Sequence, residues 1–85
     1  RAIEVPLPNK EGRTKILEIH TQKMKIDDEI DFNSISELTD GFSGADLKAI
    51  CTEAGMFAIR SERKKVISKD FMDAIDKIIE SSKIW

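Results

Sequence analysis

DGFSGADLKAICTEAGMFAIRSER, residues Asp40 to Arg63, holds a turn, a helix cap and about five turns of helix in one continuous run. Ser43 is placed to cap the helix, and Asp46 completes a capping box, with aspartate where Glu or Gln is usual. Leu47, Ile50, Cys51, Ala54, Ala58 and Ile59 follow at i, i+3, i+4, i+7, i+11 and i+12, which reads as one apolar face. The rest of the chain is expected to pack against this helix. Gly55 inside it costs about 1 kcal/mol relative to alanine, and the expected reason is close approach of a neighbouring backbone. Arg60, Arg63, Lys64 and Lys65 cluster at its C-terminal end. Positive charge there complements the helix macrodipole, and the same cluster is a candidate partner-binding patch.

Working outward, Asp40-Gly41 is a helix stop, because glycine takes the left-handed conformation that follows helix ends. The helix it stops runs from Phe32 to Thr39, capped by Asp31, and is expected to bury Phe32, Ile35 and Leu38. Asp27, Asp28 and Glu29 before it read as a solvated turn, lacking the glycine and bidentate glutamate of a calcium loop. Further back, Asn9 caps a helix expected to reach about Lys23, with Ile16, Leu17 and Met24 on its apolar side. Ile19 and His20 flank that side, and Arg13 beside it is expected to form a surface ion pair. Ala2 to Val5 alternates like a strand, and Pro6 and Pro8 end it. No second strand of that quality exists to pair with it, so the chain reads as a piece of something longer.

On the other side, Val66-Ile67 is a short extended link and Ser68 caps a last helix with Asp70 in its first turn. Phe71, Ile75, Ile78 and Ile79 give it an i, i+4, i+7, i+8 face. Lys83-Ile84-Trp85 leaves an apolar pair that is expected to pack or to bind something. The fold class is therefore all-α: a small four-helix bundle behind one short extended segment.

Composition narrows function by exclusion. With 85 residues the chain is one domain, burying roughly 60% of its unfolded surface around a thin core. Fourteen basic against sixteen acidic residues give a net charge of -2, which argues against a nucleic-acid binder. A single cysteine, Cys51, and a single histidine, His20, exclude an intramolecular disulfide and any four-cysteine or multi-histidine metal site. No apolar run reaches the ~18 residues of a membrane span. No phosphate-cradling glycine loop and no nucleophile–histidine–acid set is present. The residues alone describe a helical module that binds or positions something.

A resemblance goes further. Ser43-Gly44-Ala45-Asp46-Leu47, followed by Glu53-Ala54, resembles the signature of the small helical subdomain of AAA+ ATPases. Cys51 to Arg60 is similar to the proteasomal branch, with Gly55 where most other branches are expected to have a second alanine. Ile3-Glu4-Val5-Pro6-Leu7-Pro8 looks like the last strand of the large ATPase subdomain, Ile16 to Thr21 like the first lid helix, and Val66 to Phe71 like the entry to the last. The resemblance covers nearly the whole chain. It implies that residues 1–8 close the large subdomain and residues 9–85 form the lid. It implies that His20 lies near the adenine or ribose of ATP, with Gly44 and Ala45 at the same end of the nucleotide. Ala45 stands where many other AAA+ proteins bring an arginine towards the phosphates, so no phosphate-sensing charge is assigned.

The same resemblance implies a hexameric ring of neighbouring AAA+ subunits, the proteasome core particle as a partner, and a cytoplasmic location, also nuclear in a eukaryote. ATP with Mg belongs to the intact protein; the Walker motifs and arginine fingers are expected before Arg1, so the chain alone is expected neither to hydrolyse ATP nor to bind it tightly. The family's hydrophobic-Tyr-any C-terminal tripeptide has no match, since the chain contains no tyrosine. Other readings stay open: a docking module gripped by proteasome-assembly chaperones, centred on Arg60, Arg63, Lys64 and Lys65, or the lid of a segregase or a membrane AAA protease. Cys51 is read as a small core hydrophobe.

Overall fold

A computed structural model describes residues 7–82, and the expectations for Ala2 to Val5 and for Lys83-Ile84-Trp85 lie outside them. Four helices follow in order: α1 (Lys10–His20), α2 (Phe32–Leu38), α3 (Gly44–Arg60) and α4 (Ser68–Ser82). α3 packs along α4 and against α1, and α1 also packs on α2. The all-α expectation holds: the described residues contain no strand beyond a single parallel bridge between Ile26 and Val66.

Three of the four expected caps form. Asn9 accepts the Gly12 N–H at 2.8 Å, Asp31 accepts the Asn33 N–H at 3.0 Å, and Ser43 and Asp46 close both bonds of the box at 3.1 Å. Ser68 is different: it is the first residue of α4, not its cap. The residue before it, Ile67, has no side-chain acceptor, and Asp70 instead accepts the Ile67 N–H at 3.0 Å. α1 ends at His20 rather than near Lys23: past Thr21 the chain tightens into turns, with the Gln22 N–H on the Ile19 carbonyl at 3.4 Å and the Met24 N–H on the Thr21 carbonyl at 3.0 Å. Gly41 takes φ +85°, as its place after a helix requires.

The core is built from Leu17, Ile35, Leu47, Ile50, Cys51, Ala54, Ala58, Val66, Phe71, Ala74 and Ile75. Phe71 and Phe32 meet edge to face at 6.0 Å between ring centres. Fully burying one such large apolar side chain stabilises the fold by about 1.5–3 kcal/mol.

Two expected core residues are on the surface. Ile59 is 75% exposed: twelve residues are not a whole number of turns, and at 100° per residue it sits roughly 120° from Leu47. Leu38 is 50% exposed, because the inward face of α2 is Phe32, Ile35, Ser36 and Thr39, at i, i+3, i+4 and i+7. Two of those four are polar and were invisible to an apolar pattern. Each has an internal partner: Thr39 donates to the Ile35 carbonyl at 3.0 Å, and the Ser36 and Thr14 hydroxyls meet at 2.6 Å.

Arg13 forms an ion pair, with Asp40, but from a buried position: it is 5% exposed, its Nε donates to the Ser36 carbonyl at 2.8 Å and its Nη1 to the Pro8 carbonyl at 3.1 Å. Asp40 stands 3.6 Å away with a largely exposed carboxylate, so the backbone carbonyls hold this guanidinium. At Gly55 the close neighbour is a side chain, not a backbone: the Met24 methyl lies 3.1 Å from where a Cβ would stand.

Candidate functional site

The residues proposed to face nucleotide come from two helix ends. His20 is the last residue of α1 and is exposed. By angle it belongs to the inward side of α1, roughly 20° from Arg13, yet it stands beyond what the bundle covers. An imidazole there can donate or accept from the rim of the core.

Gly44 and Ala45 open α3, Gly44 half-buried and Ala45 exposed. A Cβ on Gly44 would lie 3.9 Å from the Ile16 δ-methyl, so the start of α3 rests on the face of α1 that carries Ile16. His20 is four residues further along that face, about 6 Å of helix rise away. The bundle therefore brings the start of α3 to the same side of α1 as the histidine.

The first N–H groups of a helix have no intrahelical partner. The Asp46 N–H is taken by Ser43 Oγ at 3.1 Å, whereas the Gly44 and Ala45 N–H groups have no acceptor among the described residues. The Asp46 carboxylate sits in the same turn and disfavours an anion there. Two free N–H groups, small side chains and a nearby imidazole fit the polar edge of a base or a ribose better than a phosphate. Among the described residues no group of three or more His, Cys, Asp or Glu is placed to hold a metal ion.

The cationic cluster sits at the far end of α3, and the structure divides it. Arg60 lies in the last turn, with its guanidinium 5.5 Å from the centre of the Phe57 ring. Arg63 is drawn inward to the buried carboxylate of Asp70. Lys64 and Lys65 are exposed and form no ion pair among the described residues. The carbonyls of Phe57, Ala58 and Ile59 already accept the N–H groups of Ser61, Arg63 and Glu62. The macrodipole thus accounts for Arg60, but Lys64 and Lys65 lie past the helix end.

Two features had no expectation attached. The Arg63–Asp70 pair joins the α3–α4 link to α4, and Asp70 also holds the Ile67 N–H. The pair of acceptors on one first-turn aspartate follows a capping logic that Asp70's position could have signalled. The Ile26–Val66 bridge joins the two interhelical connections through Val66 N–H to Lys25 O at 2.8 Å and Asp27 N–H to Val66 O at 2.9 Å. No local pattern announces it.

Cys51 lies in the core at 2% exposure, and burial pushes its thiol up to about 11 from an ordinary 9.0. That is the behaviour of a packed, inert thiol.

Comparison with known proteins adds the family. The model of the AAA+ lid domain matches residues 29–73, more than half of the chain, from the turn before α2 into α4. The chain is 63% identical over 79 residues, 93% of its length, to a proteasome-activating nucleotidase of Methanothermobacter thermautotrophicus, covering 19% of that protein. It is 58% identical over 83 residues, 98% of its length, to the proteasome-activating nucleotidase of Pyrococcus furiosus, covering 21% of it. A 26S proteasome regulatory subunit S10B homolog B of Arabidopsis thaliana is 54% identical over 84 residues, 99% of the chain and 21% of that protein. The chain spans about a fifth of the length of these relatives. On the family model and on these identities, the chain belongs to the AAA+ lid domain family.

Proposed function

We propose that this chain is the lid of a proteasome-associated AAA+ ATPase, residues 1–8 ending the large subdomain and residues 9–85 forming the lid. The observation that carries the reading is the identity above half, across nearly the whole chain, to relatives named as proteasome-activating nucleotidases and a proteasome regulatory subunit. Within the intact protein, His20 and the free N–H groups of Gly44 and Ala45 hold the base and ribose end of ATP. The α3 start supports this role because it offers donors without bulk, and Asp46 keeps phosphate away. ATP with Mg, when bound, supplies the free energy of hydrolysis, on residues outside this chain.

The lid then acts as one rigid piece. Its core of interdigitated side chains transmits a change at the α1–α3 end as rotation of the whole bundle, rather than as local bending. In a hexameric ring, that motion couples nucleotide state to the neighbouring subunit and to unfolding and translocation of substrate into the proteasome core particle. The location is the cytoplasm, and the nucleus in a eukaryote.

The test uses the full-length protein that carries this segment. Gly44→Ala introduces a methyl at an ordinary 3.9 Å contact, so the lid stays folded. Loss of close backbone approach, or of one imidazole hydrogen bond in His20→Ala, is expected to weaken ATP binding by about 3- to 10-fold. Unchanged ATP affinity in both variants removes the assignment of this end of the bundle to nucleotide.

A further inference from the structure

A groove of about 470 Å³ lies between the start of α3 and the end of α4, lined by Gly41, Phe42, Asp46, Ile78, Ile79 and Ser81. Phe42, Ile78 and Ile79 are half-buried and pack against the core, so the walls are mainly apolar. Beside Gly41 there is open space, since a Cβ built there would meet nothing within 4 Å. The polar groups are few. Asp46 Oδ2 accepts the Ser43 N–H at 3.1 Å, and a carboxylate has lone pairs for further donors. An occupant of this groove needs a large apolar body and one polar hydrogen to place on an acid.

The chain carries such a side chain close by. Lys83-Ile84-Trp85 follows Ser82 directly in the sequence. Along α4, Phe71, Ile75 and Ile78 form the inward stripe at i, i+4 and i+7, and position 85 continues it at i+14. At 100° per residue, position 85 falls roughly 20° from Ile78 and 40° from Ser81, both groove residues. Position 84 falls roughly 20° from Lys77 and 40° from Glu80, both exposed. A long helical side chain leans back over the turn N-terminal to its own Cα, so one at position 85 covers the turn of Ile78 and Ser81. Tryptophan has the large apolar ring, and its buried indole N–H requires an acceptor. A further turn would also bring Lys83 to the end of a helix whose last turn, as described, holds no basic residue.

From this register we propose that α4 continues for one further turn and seats the Trp85 indole in the groove against Phe42 and Ile78, with its N–H on the Asp46 carboxylate. The contact clasps the end of α4 to the turn that leads into α3. The start of α3 is then held from two sides, by Trp85 and by Ile16 of α1, whose δ-methyl lies 3.9 Å from where a Gly44 Cβ would stand. Any movement of α4 is passed directly to Ser43, Gly44 and Ala45. The proposal does not rest on the nucleotide reading of those residues.

The chain has one tryptophan and no tyrosine, so its indole emission reports on Trp85 alone. The folded 85-residue chain is expected to emit to the blue of the urea-unfolded chain and to be quenched more slowly by acrylamide, with neither difference lost on dilution. Nuclear Overhauser contacts should join the indole protons to the Phe42 ring and the Ile78 methyls, a readout that needs no variant. Phe42→Ala is expected to shift the emission to the red, and Ile84→Asp to leave it in place, with circular dichroism showing that each variant is folded. Trp85→Ala should move the amide resonances of Gly41, Phe42 and Gly44 but not those of Lys25 and Val66 at the other end of α3. Emission of the folded chain at the unfolded position, or indole contacts to other residues, overturns the proposal. So does an Ile84→Asp shift as large as that of Phe42→Ala, since the register would then be wrong. A blue shift lost on dilution overturns it as well, because the ring of a second copy would then fill the groove. None of these readouts involves ATP, so failure here leaves the nucleotide assignment standing.

Discussion

Arg13 shows what a single residue contributes that local pattern hides. Its place on the buried stripe of α1 is visible in the sequence, but its partners are not: Ser36 is 23 residues away, and only the α1–α2 packing brings that carbonyl to Nε. Capping residues, by contrast, are legible because their acceptor and donor lie within three positions, as for Asn9 and Gly12. Arg13→Lys keeps the charge and loses the geometry, since one ammonium cannot serve two carbonyls approached from Nε and Nη1. We expect it to destabilise the chain by about 1–3 kcal/mol in urea unfolding, whereas Asp40→Asn, at an exposed carboxylate, costs less than about 0.5 kcal/mol. Cys51 gives a pH prediction. The unfolded thiol ionises near 9.0 while the native one holds its proton to about 11, so the folded state binds more protons in that window. Stability therefore declines as pH climbs through it, by at most roughly 3 kcal/mol. Comparing wild type with Cys51→Ala in denaturant titrations from pH 8 to 11 isolates that slope; equal slopes would count against it.

Among the elements, α3 was readable almost whole, from its capping box to its C-terminal charge, because its signals are local and strong. The inward face of α2 was not. Ser36 and Thr39 occupy positions where a hydroxyl can be buried only because a partner is in place: Thr39 donates to the Ile35 carbonyl of its own helix, but Ser36 meets Thr14 of another. Gly55 is a point of close approach, but to the movable end of Met24 and not to the expected backbone. That distinction sets the sign of a substitution. A Cβ at 3.1 Å asks the Met24 methyl to give by a few tenths of an ångström, which a thioether allows, while alanine gains up to about 1 kcal/mol of helix propensity. Gly55→Ala is thus expected to raise the thermal midpoint slightly. A fall would mean that Met24 is held in place more firmly than its chemistry implies.

For the molecule as a whole, class and helix order follow from the residues themselves, whereas the family and the proposed nucleotide-facing residues come only through resemblance. His20 has no local mark of function, and Gly44 and Ala45 leave their N–H groups open as the first residues of helices ordinarily do. Nothing in the periodicity of α1 or α3 relates the two ends, since that depends on how Ile16 packs. The purified 85-residue chain is expected to release no inorganic phosphate from ATP above buffer. Turnover that point changes within these residues abolish would place hydrolytic groups here and overturn the division of labour proposed above. The bridge between Ile26 and Val66 has a different consequence. Amides in connections between helices ordinarily trade their protons with solvent quickly, because no ladder protects them. The Asp27 and Val66 N–H groups, locked across two connections, should instead take up deuterium only when the bundle opens as a unit, on the same clock as Ile50 and Phe71. In such an experiment, the slowest part of the surface would be a loop.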